Sequence, residues 1–418
     1  MEVKRQLKYC FLILTVLLFG FVWSASKSSA MDSSWSPYEV TGTGSKFFDL
    51  EIEKFDTGVA GPQVIAKSSN RLFVASRDSN VIRVMTYGNR SLDEIQEVVL
   101  PHQRDEQEGS GKYVLDLETR GDADLFVSYL EWYDNIAKCD RVVVVQYKIK
   151  AGRVASLPGR KVFASTPCWT MLHQDSVRGG YTASGRMAVQ GNSLYVEGGM
   201  VMIELGHNKY PNPGVGGLSG NFKKDLAKTN LFGSVTKVDL RSLKWKKLSI
   251  GHRNPQGLMW DSNRKILWSS EHGPSGGCEL NIIREGKNYG WPFVSLGREY
   301  FDQDVLPENN VLKTRYGTHV GYELPAFAWN PSIGPSQLVI VPPHHPFGPV
   351  WTSDLLLSTL KDQSIYRIVA DKSGRVYETE RIALGHRIRD LAIGSSDLWA
   401  STDDGKILRL TRFVPASD

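Results

Sequence analysis

The feature that most constrains this chain is a short β pattern written six times. The copies are Leu72-Phe73-Val74-Ala75, Leu125-Phe126-Val127-Ser128, Leu194-Tyr195-Val196, Leu267-Trp268-Ser269, Leu355-Leu356-Leu357-Ser358 and Leu398-Trp399-Ala400-Ser401. Each is bounded by turn-forming Asp, Asn, Gly or Lys residues, and most lead through a turn into another strand-like run such as Val81–Met85, Val142–Tyr147, Val235–Leu240, Leu280–Arg284, Ile365–Val369 or Ile407–Leu410. The leading leucines are spaced 53, 69, 73, 88 and 43 residues apart, so the repeat is irregular and its third to fifth copies carry insertions. No stretch keeps a sustained helical period. A short strand unit cannot bury both faces alone, and radial stacking against like units does so while leaving only short edges. The expectation is an all-β chain forming a six-bladed β-propeller of four-stranded antiparallel blades; two stacked β-sandwiches are the alternative. The 39 Gly and 19 Pro, with 11 Trp, 16 Tyr and 16 Phe, suit many short strands and tight turns.

Charge excludes some partners. The chain holds 50 Lys and Arg against 45 Asp and Glu, and 46 against 44 beyond residue 30, too even a balance to argue for nucleic acid or an anionic membrane surface. Lys4, Arg5 and Lys8 precede a mostly apolar run of 14 residues, Cys10 to Trp23, followed by small residues to Ala30. That order reads as a secretory signal over 1–30, and the run is shorter than the roughly 18 residues of a membrane span. An uncleaved anchor is the alternative. The expectation is a secreted or periplasmic protein without stable membrane insertion, with a lead-in over 31–60 and the propeller over 61–418. Beyond the signal remain Cys139, Cys168 and Cys278. A disulfide between Cys139 and Cys168 with Cys278 free is expected in an oxidising compartment. Neither CxxC nor HExxH spacing occurs, so zinc has little support.

The chemistry-bearing residues are concentrated in three segments: Gly251-His252-Arg253-Asn254-Pro255-Gln256-Gly257-Leu258, then Glu271-His272-Gly273-Pro274-Ser275-Gly276-Gly277-Cys278-Glu279-Leu280-Asn281, then Asn288-Tyr289-Gly290-Trp291-Pro292. The first sets Arg253, Asn254 and Gln256 at the entrance to a strand, where propeller loops face the central channel, a place for an anionic, oxygen-rich ligand. The second is a Gly- and Pro-rich turn whose carbonyls suit a hard cation such as Ca²⁺. Taken alone, each also reads as ordinary turn chemistry.

Together, in this order and spacing, the three segments resemble the glucose/sorbosone dehydrogenase family, the soluble aldose sugar dehydrogenases that use pyrroloquinoline quinone (PQQ). The resemblance extends more weakly from about Gly61 to the C-terminus. It implies a six-bladed propeller that oxidises the anomeric hydroxyl of an aldose to the lactone by hydride transfer to PQQ, with Ca²⁺ and an external electron acceptor; a homodimer is possible. It places Arg253, Asn254, Gln256, Ser332 (in Asn330-Pro331-Ser332), Lys361 (in Ser358-Thr359-Leu360-Lys361), and Arg387 and Arg389 (in His386-Arg387-Ile388-Arg389-Asp390) on the cofactor. It places the main-chain carbonyls of Gly273 and Pro274 on calcium, Gln107 and Gln174 on the sugar, and His173 as general base beside the quinone-polarising Arg253.

Three positions depart from the family pattern. Met200, after Leu194-Tyr195-Val196-Glu197-Gly198-Gly199, stands where an acidic partner of the catalytic His is usual. Cys278 replaces the Asp that usually precedes Glu279, and Asp175 to Ala183 are inserted after His173-Gln174. A His without a carboxylate partner is less well oriented and a weaker base. Two other readings therefore remain: a non-catalytic ligand- or protein-binding propeller, and a calcium-dependent lactone hydrolase, which would want converging carboxylates that these loops lack.

Overall fold

The structure is a computed structural model that describes residues 41–414 apart from 60, 78, 101–113, 135–138, 156, 167–183, 200–228, 292 and 299–314. Its regular elements are all strands, and six sheets form the blades.

From the innermost strand outward, blade 1 is Gln63–Ser68, Arg71–Ser76, Val81–Gly88 and Ser91–Val99. Blade 2 is Val114–Arg120, Asp124–Asp134 and Cys139–Lys150, whose outer side takes Arg153–Val154 and Arg160–Ala164. Blade 3 is Ser184–Gln190, Ser193–Gly198, Ser234–Asp239 and Trp245–Ile250, with Lys287–Asn288 added parallel at its edge. Blade 4 is Pro255–Asp261, Ile266–Glu271, Cys278–Ile282 and Phe327–Trp329. Blade 5 is Pro335–Ile340, Leu355–Thr359, Ser364–Ala370 and Val376–Ala383. Blade 6 is Ile388–Ile393, Leu398–Thr402, Lys406–Arg412 and, outermost of its main four, Asp49–Asp56.

All six leucine-led runs are the second strands of their blades. Such a strand is covered on both faces by neighbouring blades, so it is written as a continuous run of apolar and small residues. Leu355–Thr359 and Leu398–Thr402 are buried at every position. Asp49–Asp56, within the stretch read as a lead-in, runs antiparallel to Lys406–Arg412 from Leu50 opposite Arg412 to Asp56 opposite Lys406. The ring is thus closed by pairing the two ends of the propeller, and the innermost strands of neighbouring blades touch all the way round.

Between blades the packing is apolar, as with Leu115, Phe126, Met187 and Val196 between blades 2 and 3. At the centre it is polar. Arg186, 1% exposed, donates from Nη1 to Asp116 Oδ1 of blade 2 at 2.8 Å and to Asp390 Oδ2 of blade 6 at 3.0 Å. Asp390 Oδ2 also accepts the Ile65 N–H of blade 1 at 3.0 Å, and Asp116 Oδ2 accepts the Met187 N–H at 2.8 Å. The buried guanidinium of blade 3 therefore ties blades 2 and 6 to its own, and Asp390 adds blade 1. Where blades 4 and 5 meet, a Cβ on Gly257 would lie 2.3 Å from the Ser336 carbonyl oxygen, so only glycine permits that approach.

Candidate active site

The Arg253 segment ends where the innermost strand of blade 4 begins, and the Arg387–Arg389 segment leads into the innermost strand of blade 6. Lys361 lies just after the second strand of blade 5, and His272 just after that of blade 4. Starts of innermost strands and ends of second strands share one face of an antiparallel blade, so these residues gather at one end of the channel.

Arg253 is 5% exposed. Its backbone N–H donates to Glu271 Oε2 at 2.8 Å, and its Nη1 donates to the carbonyls of His272 at 2.8 Å and Gly273 at 3.0 Å. The guanidinium carbon stands 5.1 Å from the centre of the Trp291 ring, a cation–π contact that joins the first and third motif segments. The tight turn is what allows this: a Cβ on Gly273 would meet the carbonyl oxygens of Gly276 and Gly277 at 2.2 Å.

His272 is the point on which the cations converge. Its Nε2 donates to the Pro335 carbonyl at 2.6 Å, which fixes the proton on that nitrogen. Burial first, then the charges of Arg253, Arg389 and Arg387, hold its pKa down to about 4, so the ring is neutral at pH 7. Arg387 and Arg389 share Asp403: Arg387 Nε reaches Oδ2 at 2.8 Å and Arg389 Nε reaches Oδ1 at 2.8 Å. Arg387 Nη1 also approaches the Leu360 carbonyl at 3.4 Å, which sets Lys361 beside the pair. The Lys361 and Leu360 N–H groups donate to Ile333 and Gly334 carbonyls at 3.1 and 2.7 Å, so the Ser332 loop abuts the same corner.

The remaining sequence candidates fall into two groups. Asn254 Oδ1 accepts Gln256 Nε2 at 2.9 Å, so these two side chains engage each other at the strand entrance. Ser332 Oγ lies 2.9 Å from Cys278 Sγ, and Cys278 is a buried free thiol. His173, Gln174 and Gln107 lie outside the described residues, as do Met200, the Asp175–Ala183 insertion, Cys168 and the signal segment over 1–30. Among the described residues no helix is long and apolar enough to cross a membrane.

Sequence reasoning missed three features. Asp403 sits in a Thr402-Asp403-Asp404-Gly405 turn that signals only a turn. His272 was visible in the Glu-His-Gly-Pro segment without any sign of its role. The third is a buried polar chain behind Arg253: Ser249 Oγ to His252 Nε2 at 2.8 Å, His252 Nδ1 to Glu271 Oε1 at 3.2 Å, Asn281 Nδ2 to Glu271 and Glu279 at 2.7 and 3.2 Å, and His319 Nε2 to Glu279 at 3.2 Å. Burial opposes the charge on Glu271, but His252 and the Arg253 N–H keep its pKa below the usual carboxylate value.

Of the two main-chain carbonyls expected on calcium, that of Gly273 accepts the Arg253 guanidinium at 3.0 Å, and no group of three His, Cys, Asp or Glu side chains among the described residues adds side-chain ligands. The cationic corner does fit a polyanion, because the field that keeps His272 neutral also favours negative oxygens placed there.

Comparison with known proteins agrees with this geometry. The chain is 34% identical over 168 residues to aldose sugar dehydrogenase YliI of Escherichia coli, 39% of this chain and 43% of that one. It is 42% identical over 72 residues to quinoprotein glucose dehydrogenase B of Acinetobacter calcoaceticus, 17% of this chain and 15% of that one. The matched segments thus span less than half of either relative. In fold, it resembles the soluble aldose sugar dehydrogenase of Escherichia coli in its apo form, with a TM-score of 0.63 and 21% identity over 87% of this chain and all of that one. It also resembles the PQQ-bound aldose sugar dehydrogenase of Streptomyces coelicolor, with a TM-score of 0.56 and 20% identity over 87% and 98%. The sequence profile of the glucose/sorbosone dehydrogenase family matches residues 62–409, nearly the whole propeller, and the chain belongs to that family.

Proposed function

We propose that this protein is an exported quinoprotein that oxidises the anomeric hydroxyl of an aldose, with PQQ held by Arg253, Lys361, Arg387 and Arg389 and with Asn254, Gln256 and Ser332 at its rim. The observation that carries the reading is the convergence of Arg253, Arg387 and Arg389 on His272, whose pKa their charges help to lower. When bound, PQQ supplies a two-electron hydride acceptor; the difficult chemistry is the cofactor's.

This chain's own residues do the rest. Arg387 and Arg389 are held by one carboxylate and so keep net positive charge for anionic oxygens. Arg253, braced by two carbonyls and the Trp291 ring, offers a preoriented donor where negative charge develops on the acceptor. Neutral His272 adds no competing proton donor at Nε2, since that N–H is spent on Pro335. His173 is the proposed general base for the anomeric hydroxyl, with Gln174 and Gln107 on the sugar and an external acceptor completing turnover. No step is assigned to calcium.

The test is titration of the purified protein with PQQ, followed by dye reduction with aldoses. Arg387→Ala with Arg389→Ala should weaken PQQ binding at least about tenfold, the size of one lost charge-assisted contact. His173→Ala should lower the rate by at least about 10²-fold while PQQ affinity holds. Absence of PQQ binding, or binding indifferent to the double change, overturns the cofactor assignment. PQQ binding without turnover of any aldose would favour the ligand-binding propeller.

A further inference from the structure

Between blades 2 and 3, a cavity of about 410 Å³ is lined by Arg120, Gln146, Lys148, Arg160, Asn192 and Arg241. Arg120 ends the innermost strand of blade 2, Asn192 lies in the turn after that of blade 3, and Arg241 lies in the turn after Ser234–Asp239. Those strand ends are opposite to the ones that carry Arg253 and Arg389, so the cavity opens on the far face of the propeller.

Its charge is strongly unbalanced. Asp124, 2% exposed, takes Arg120 Nε and Nη2 on Oδ2 at 3.0 and 2.6 Å. Its Oδ1 takes Gln146 Nε2 at 2.8 Å and Lys148 Nζ at 2.7 Å, so both oxygens are fully engaged. The other braces are neutral: Arg120 Nη1 donates to the Gly191 carbonyl at 2.9 Å, and the Asn192 amide, oriented by its hydrogen bonds, accepts Arg241 Nε and Nη2 at 2.9 Å each. Asp239, in the same turn as Arg241, takes the Arg241 and Ser242 N–H groups and the Ser242 hydroxyl on Oδ1, and its charge attracts the Arg241 guanidinium. Arg160 is exposed and has no carboxylate partner among the described residues. Four cationic side chains therefore stand against two carboxylates, Asp124 and Asp239, which leaves the cavity with excess positive charge.

We propose that this cavity binds a phosphoryl group, either free or as a lipid headgroup. Guanidinium forks and an ammonium arriving from separate strands suit a compact tetrahedral polyanion, which can take donors from several directions at once. Bracing by Asn192, Gly191 and Asp124 holds the donors in place before a ligand arrives, which lowers the ordering cost of binding. The hairpin that carries Arg241 also exposes Leu243 and Trp245 beside Lys244, while Lys246 pairs with Glu285 at 2.8 Å; the exposed apolar and aromatic pair suits the headgroup layer of a bilayer.

The experiment is calorimetric titration of the full chain with inorganic pyrophosphate, with sedimentation against phosphatidylcholine vesicles carrying phosphatidic acid as a second arm. Arg160→Gln with Arg241→Gln should weaken pyrophosphate at least about tenfold, about 1.4 kcal/mol, whereas Lys372→Gln with Arg375→Gln in an exposed turn of blade 5, an equal-charge control, should not. Pyrophosphate binding without vesicle binding assigns the soluble source; vesicle binding that pyrophosphate reverses assigns the headgroup. Pyrophosphate that fails to bind at millimolar concentration, or that binds the double variant and the parent equally, overturns the site. Circular dichroism of the variant, whose changes are at exposed or rim positions, separates a lost ligand from a lost fold.

Discussion

Replacing Arg186 by Met asks how much of the closed ring depends on its polar centre. The guanidinium lies 2.8 and 3.0 Å from carboxylates of blades 2 and 6, and its Nη2 also donates to the Arg389 carbonyl at 3.1 Å. At an effective dielectric constant of about 20 each charge pair is worth about 4 kcal/mol before desolvation, and removing one partner of a buried pair typically costs about 3–5 kcal/mol because the other charge is stranded. The expected loss is in that range. It should depend on pH in a definite sense. Asp116 already has its pKa raised to about 7, chiefly by burial and also by Asp390, against the pull of Arg186, and burial raises Asp390 as well. A carboxyl with a raised folded pKa contributes stability below its unfolded value, near 4, that is lost as pH climbs through the folded value. Without Arg186 both values rise further, so the penalty should be larger at about pH 8 than at about pH 5. Urea unfolding midpoints of parent and variant at the two pH values measure this. Adding Asp390→Asn to Arg186→Met should recover part of the loss. A penalty below about 1 kcal/mol, or one equal at both pH values, would refute the view that this triad pins the blades.

Other expectations follow from the candidate site. His272 has its pKa depressed to about 4, so the parent should lose stability as pH falls from about 6.5 toward 4; His272→Gln, which keeps a donor for Pro335, should flatten melting temperature against pH over that window. Gly273→Ala forces a Cβ to within 2.2 Å of two carbonyl oxygens, so the turn must move; a loss of about 2 kcal/mol or more and an altered near-ultraviolet signal from Trp291 are expected, and an unchanged melt would show that the turn yields freely. Thiol labelling of the denatured, unreduced protein should modify Cys278 alone; labelling of Cys139 or Cys168 in peptide maps would remove the proposed disulfide.

How much was legible in the sequence depends on where each residue sits in a blade. The second strands are sandwiched between neighbours, so their composition is dictated by burial on both faces, and six leucine-led runs announced six blades. The outer strands escaped notice because one side faces solvent: Val376–Ala383 mixes buried with exposed positions, and Asp49–Asp56 belongs to the last blade only through pairing with a strand at least 350 residues away. The motif segments around Arg253, His272 and Trp291 were readable because the turn imposes its own residue types, as the crowding at Gly273 shows. The cofactor role proposed for Arg387, Arg389 and Lys361 came only from the family resemblance, since a single basic residue is by default a solvated charge. The sequence by itself determined the strand units, their number and the turn that positions Arg253, because these follow from local burial and backbone sterics. Only the tertiary structure decided that Asp403 would clamp two arginines of its own blade, that His272 would be neutral among cations of blades 4 and 6, and that Arg186 would join carboxylates of blades 2 and 6; the last two are charge interactions between blades distant in the chain, strengthened by the burial that ring closure creates.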